Sequence, residues 1–276
     1  MIVAGVILLI LCGALLIYRR FQEQRLLEIS TAEASTAQAL ADASKYVAER
    51  LGEAGSFSRI AKVKGIAKCD SPLTSEVARQ PCVYYEMSVT REYEEYRGRR
   101  SRKRQRAGKS RRGSETVASN SQRVPFWIED ATGRILVNPD HSQIDSVKVV
   151  DRFDQAEGAR GAILRFGSFS VNLGNILPAT PEMGSRTTLG YRLQEKLLPL
   201  EQRVYVLGEA RDASGQLTIE KPREGGKPFI VSLKSEEELI GSARSTIQWL
   251  LASGVASGIA GIGLVLAGLI PLVAGR

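Results

Sequence analysis

The chain has 276 residues and carries 38 Lys and Arg against 30 Asp and Glu, a formal charge of +8. Ten of those bases lie between Arg97 and Arg112; without them the balance is 28 against 30, so the remainder offers no broad cationic face to a polyanion. Three cysteines (Cys12, Cys69, Cys82) with no CxxC pair, and His141 as the single histidine, exclude a zinc finger or RING within the chain.

From the N-terminus, Met1 to Tyr18 carries no charged side chain and ends at Arg19 and Arg20. At about 1.5 Å per residue these eighteen residues nearly match a hydrocarbon core of about 30 Å, which predicts a transmembrane helix over residues 1–18. A cleaved signal peptide is the alternative; it wants positive charge ahead of its apolar run, and here the charge follows, which favours an uncleaved anchor. Phe21 to Leu51 is rich in Ala, Glu, Gln and Leu without Gly or Pro, a helix-favouring composition that predicts a juxtamembrane helical stalk over residues 19–55.

The pattern then changes to short β-branched and apolar runs between turn residues. Phe57–Lys68, Pro81–Tyr96, the two halves of Arg123–Pro139 around Asp130-Ala131-Thr132-Gly133, SVKVVDRFD, GAILRF, RVYVLGEARD and QLTIEKP all read as strands. A helix is expected at Leu189–Leu198. A second, Lys234 to Ser245, opens with the capping pattern Ser235-Glu236-Glu237-Glu238. Many short strands and few helices predict a mainly β (α+β) fold: a small OB-like β-barrel or sandwich over residues 56–242.

The basic run falls between two of these strands, so residues 97–122 are expected to form a basic, disordered hairpin tip. Arg99, Arg100, Arg102, Lys103, Arg104, Arg106, Lys109, Arg111 and Arg112 are its candidate contacts for anionic lipid or a partner. AGKS, Ala107–Ser110, lacks the earlier Gly of a phosphate-binding loop. Glu129-Asp130 would point to opposite faces of a strand, and a turn-starting Asp accounts for Asp130 better than an acid/base pair. Cys69 and Cys82 are either a disulfide, if the domain lies outside the cytoplasm, or apolar residues, if it lies inside.

The last segment, uncharged from Ser245 to Gly275, predicts a second transmembrane helix over residues 246–274, with Trp249 at an interface. Ser253, Ser257 and Gly261 recur four apart, as do Gly254 and Gly258. Such a small-residue face admits a close helix, either the first span of the same chain or a second copy in a homo-oligomer.

A terminal span, a β-rich domain and a second span directly after it resemble the GIDE family, whose soluble part is the BAM ("beside a membrane") domain. The residues that carry the resemblance are PCVYYEMSVTREYE (Pro81–Glu94), VPFWIEDATGRILVNP (Val124–Pro139) and the block from Gly190 to Ser242. The family's eukaryotic members are RING-type ubiquitin ligases of mitochondrial and chloroplast outer membranes, and short two-span forms are similar to those of bacteria. The resemblance implies a domain that binds substrates or partners, with a RING beyond the second span. This sequence stops at Arg276, so the resemblance transfers no catalytic residue and implies no cofactor.

Arg19, Arg20 and Arg25 follow the first span, and the positive-inside rule then places the N-terminus outside and the domain in the cytoplasm. The expectation is a two-pass membrane protein whose non-catalytic domain presents a β-rich surface to a protein or lipid partner. One alternative is ubiquitin transfer through a partner that supplies the RING; another is a membrane-tethered nucleic-acid-binding barrel, which the charge balance disfavours.

Overall fold

The structure is a computed structural model that describes residues 2–51, 55–96, 110–155, 163–166, 169–172, 186–213 and 215–274. Two long helices, α1 (Ile2–Thr31) and α3 (Glu236–Ala274), pack along each other at the two ends of the chain. Both are long and apolar enough to cross a membrane. The small residues of α3 make the close contact. A Cβ on Gly261 would come within 3.0 Å of the Gly5 carbonyl, and one on Gly258 within 3.2 Å of Cys12 Sγ. Gly254 meets Leu15 and Leu16 in the same way, while the Ser253 and Ser257 hydroxyls donate back to carbonyls one turn earlier in α3.

The domain between them is built on a closed five-stranded barrel. Its strands are β2 (Ser58–Lys68), β6 (Phe126–Glu129), β7 (Arg134–Val137), β13 (Arg203–Arg211) and β14 (Thr218–Glu220). Each pairs with the next in the order β2-β6-β7-β14-β13, and β13 returns to β2, from Arg203 opposite Ile66 to Arg211 opposite Ser58. The β7–β14 pairing is parallel and the others are antiparallel, the strand order of an OB-like barrel. Inward residues of all five strands form one core: Ala61, Val63, Phe126, Ile128, Ile135, Val137, Val204, Val206 and Ile219 are nearly or wholly buried in it. Two short strands extend the sheet, β15 (Ile230–Ser232) beside β13 and β8 (Gln143–Ile144) beside β15.

A second sheet is assembled from two excursions out of the barrel. β4 (Pro81–Tyr96) and β5 (Ser110–Arg123) leave between β2 and β6, and β9 (Val147–Gln155) and β12 (Arg186–Pro199) leave between β7 and β13. β4 pairs with both β5 and β12, and β12 with β9. Its lower half is apolar (Met87, Val89, Val150, Tyr191, Leu193). Beyond it stands an ionic ladder in which Arg91 pairs with Glu115 and Arg192 with Glu92 and Asp151, and the guanidiniums of Arg91 and Arg186 both lie over the Tyr93 ring.

Three sequence expectations are corrected. Leu189–Leu198 is not helical but belongs to β12. Its Leu, Glu, Gln and Lys favour helix, yet Tyr191, Leu193, Glu195 and Leu197 are all buried, a period of two. Pairing with β4 on one side and β9 on the other overrides the propensity. The continuous stalk is also broken. α1 ends at Thr31, where Ser30 and Thr31 hydroxyls close back on the Leu27 carbonyl; the two-residue β1 (Glu33–Ala34) pairs parallel with β2; and α2 (Ala37–Leu51) starts afresh at the Thr36 cap. α2 is not a stalk: it puts Ala37, Leu40, Ala43 and Val47, spaced for one helix face, into the barrel core. Finally, the loop expected over residues 97–122 is a strand from Ser110 onward, paired with β4 from Ser110 opposite Tyr96 to Arg123 opposite Tyr84. Its polar sequence hides this because it is an edge strand that turns only Val117 and Ala118 to the apolar cluster.

Candidate functional site

The best-formed site lies on the outside of the barrel seam. On β13 the alternation of a strand sends Val204 and Val206 inward and leaves Arg203, Tyr205 and Leu207 outward. On β2 it leaves Lys62, Lys64 and Ile66 outward. The register sets Ile66 beside Arg203 and Glu129, and Tyr205 between Lys64 and Ser232. Gly65 lets β6 approach: a Cβ there would meet the Glu129 carbonyl oxygen at 2.5 Å.

The start of α3 crosses this face. Ser235 caps it, its hydroxyl accepting from the Glu238 N–H while Glu238 accepts from the Ser235 N–H, as the capping pattern predicts. The next residue, Glu236, accepts from Lys62 Nζ at 2.5 Å and pairs with Lys64 at 3.0 Å. Lys62 donates first among the influences that hold the Glu236 carboxyl below its ordinary value, against the cost of burial and with help from Lys64. Leu239 and Ile240 then settle over Tyr205, Leu207 and Ile230.

What α3 leaves uncovered is a cleft of about 640 Å³. Its floor is Ile66, Leu233 and Tyr205; its rim carries Lys64, Arg203 and Lys234 against Glu129, Asp130 and Glu238. The Tyr205 hydroxyl is buried and has no hydrogen-bond partner among the described residues. Burial, with Glu236 nearby, pushes this phenol well above its ordinary value, so it stays a neutral donor. A buried polar atom without a partner costs about 1–3 kcal/mol; Tyr205 lines the cleft, while its hydroxyl is closed to solvent beneath it. The balanced rim and apolar floor suit a short protein segment of mixed character, not a polyanion.

Asp130 sits on the rim with a structural task. Burial opposes its ionisation, but hydrogen bonds from Thr132 and from the N–H groups of Ala37, Thr132 and Gly133 outweigh it and hold the carboxyl below its ordinary value. One carboxylate thus closes the β6–β7 turn and receives the N-terminus of α2. This accords with the turn reading of Asp130 and leaves no acid/base pair with Glu129.

The sequence-derived candidates lie elsewhere. Arg99, Arg100, Arg102, Lys103, Arg104, Arg106 and Lys109 fall outside the described residues. Arg111 and Arg112 are exposed on β5, in register with Glu95 and Glu94 of β4, so the described end of the basic run faces an acidic strand. Cys12, Cys69 and Cys82 are free thiols. Among the described residues no group of His, Cys, Asp and Glu clusters to hold a metal. Sequence reasoning missed Lys64, Arg203 and Tyr205; the alternation of KVKGI and RVYVL was visible, but the pairing of strands so far apart was not.

Two membrane-length helices clamping one β domain make this a membrane protein. A GIDE family model, described as E3 Ubiquitin ligase, matches residues 94–267, well over half of the chain, and the protein belongs to that family. It is 28% identical over 135 residues to the E3 ubiquitin-protein ligase SPL1 of Arabidopsis thaliana, covering 47% of this chain and 34% of the relative. It is 30% identical over 131 residues to the E3 ubiquitin-protein ligase SP1 of the same plant, covering 46% and 33%. The chain thus spans about a third of the length of these relatives. No solved structure matches it.

Proposed function

We propose that this chain is a membrane-anchored, non-catalytic binding domain of the ubiquitin-ligase family, and that the cleft over Tyr205 receives a segment of a partner protein. The observation that carries this is a cleft of about 640 Å³ with an apolar floor at Ile66 and Leu233 and a rim of both signs. The domain faces the cytoplasm in this reading, supported by Arg19, Arg20 and Arg25 behind the first span.

The test is a photoreactive residue placed at Ile66, activated in native membranes, with cross-linked proteins identified by mass spectrometry. Tyr205→Phe keeps the ring and removes the hydroxyl. It is expected to leave thermal stability unchanged or slightly higher, because a buried group without a partner is gone, whereas Arg203→Glu on the rim is expected to reduce the cross-linked partner severalfold. Unchanged cross-linking in Arg203→Glu overturns the cleft assignment.

Family membership favours a second reading, participation in ubiquitin transfer with the RING supplied by a partner. Incubating the purified protein with activating enzyme, conjugating enzyme and ubiquitin tests it. No ubiquitin is expected on the chain alone; modification that requires an added RING protein supports this second reading.

A further inference from the structure

The structure places a second basic element, remote in sequence from Arg97–Arg112, at the foot of the first span. α1 is uncharged as far as Tyr18, so Tyr18 marks the end of the hydrocarbon-depth segment and the start of the headgroup layer, where Tyr side chains concentrate. Tyr18 and Phe21 are exposed at 53% and 70%, and they line a cleft of about 930 Å³ together with Lys221, Gly226, Lys227 and His141. The cleft runs from Tyr18 to Glu28, so the loop faces the turns of α1 that directly follow the apolar span.

We propose that the loop Lys221–Pro228 seats the phosphate of an anionic phospholipid against the foot of α1. The loop sequence is KPREGGKP, three cations and one acid. Its acid, Glu224, is engaged by Lys227. Lys221 and Arg223 are exposed, and Lys221 makes no ion pair among the described residues. The loop is held from behind: the Glu209 carboxylate accepts the Arg223 N–H at 2.7 Å as well as the Ser58 hydroxyl, and Pro222 and Phe229 are buried at its ends. Its tip is Gly225-Gly226, with Gly226 at a φ of 94° and open space around both. A glycine tip lets backbone N–H groups approach a phosphate without side chains in the way. Glu28 of α1 lines the same cleft beside Lys227, which leaves Lys221 as the cation of the cleft with no ion pair among the described residues. The occupant is a lipid and not a soluble anion because the cleft opens where the apolar span ends.

The experiment is hydrogen exchange on the full chain in nanodiscs of phosphatidylcholine alone and of phosphatidylcholine with a third of phosphatidylglycerol. Amides from Arg223 to Lys227 are expected to exchange several-fold more slowly in the anionic discs, each cation contributing roughly fivefold in headgroup affinity. Joint Lys221→Gln, Arg223→Gln and Lys227→Gln substitution is expected to abolish the difference, and Lys221→Arg with Lys227→Arg to keep it. Equal exchange in both lipids overturns the proposal, as does slowing that persists in the triple variant. Slowing produced by inorganic phosphate in phosphatidylcholine discs, with no further effect of phosphatidylglycerol, overturns the lipid assignment. Tyr205 plays no part in this readout, so failure here and failure of the partner cleft are separable.

Discussion

At the scale of the residue, charges are buried where they hold distant segments together. Glu195 is fully buried in the second sheet, and its two oxygens accept the N–H groups of Val77 and Ala78 at 2.8 and 2.7 Å. It fastens the loop that covers the apolar half of that sheet. Glu195→Ala leaves two partly buried donors without their acceptor, a cost of about 1–3 kcal/mol. It is expected to lower the melting temperature and to free the Val77 and Ala78 amides in hydrogen exchange; unchanged protection there refutes the role. Glu236 acts similarly between Lys62 and Lys64. Because its folded carboxyl titrates below its ordinary value of 4.5, its contribution is complete at neutral pH and lost as pH falls through the depressed folded value. Glu236→Gln leaves Lys62, whose side chain is 8% exposed, without its counter-charge. The variant is expected to be about 3 kcal/mol less stable at pH 7 and to lose less on acidification, measured by thermal melts across pH. Neither carboxylate was legible as a fastener in the sequence: Glu195 sits in a run that composition assigns to helix, and Glu236 was visible only as part of a cap.

Among the elements, those set by local rules were legible and those set by distant partners were not. The two apolar spans, the Ser235 capping box, the Asp130 turn and the alternation of β4 and β13 each follow from a few adjacent residues. β12 and β5 do not. β12 is a strand because β4 and β9 flank it, and β5 is a polar edge that only its partner β4 identifies. The break between α1 and α2 had a local sign, Ser35-Thr36, masked by the helix-favouring residues around it. In the cleft, each strand's outward residues could be read off, whereas their meeting across the β2–β13 seam could not. The α1–α3 contact rests on missing side chains, since Gly5 and Gly261 leave no room for a Cβ. Gly261→Leu is expected to separate the two helices and sharply reduce cross-linking between cysteines introduced at their facing positions, while the barrel keeps its β signal in circular dichroism. Retained cross-linking would show that the pair tolerates a wider spacing.

For the whole molecule, the free thiols provide a reporter of sidedness. Cys82 is buried, and burial, with Glu195 near, pushes its thiol up to about 11. Cys12 lies within the first span. Cys69 is partly exposed, its thiol donating to the Pro125 carbonyl, so it is the thiol expected to react with a membrane-impermeant maleimide in the folded protein. Labelling is expected in inverted vesicles and absent from intact cells; the reverse result moves the domain to the other side of the membrane.

The seam that closes the barrel also dictates when the β domain can be completed. β2 and β13 lie roughly 140 residues apart, a long-range pairing of the kind that folds slowly. At ordinary translation rates β2 leaves the ribosome on the order of ten seconds before its partner. Through that interval the first span is available to anchor the chain while β2 waits as an unpaired edge, with Lys62 and Lys64 to discourage wrong pairing. β13 emerges shortly before α3, so barrel closure and insertion of the second span follow closely on one another during synthesis.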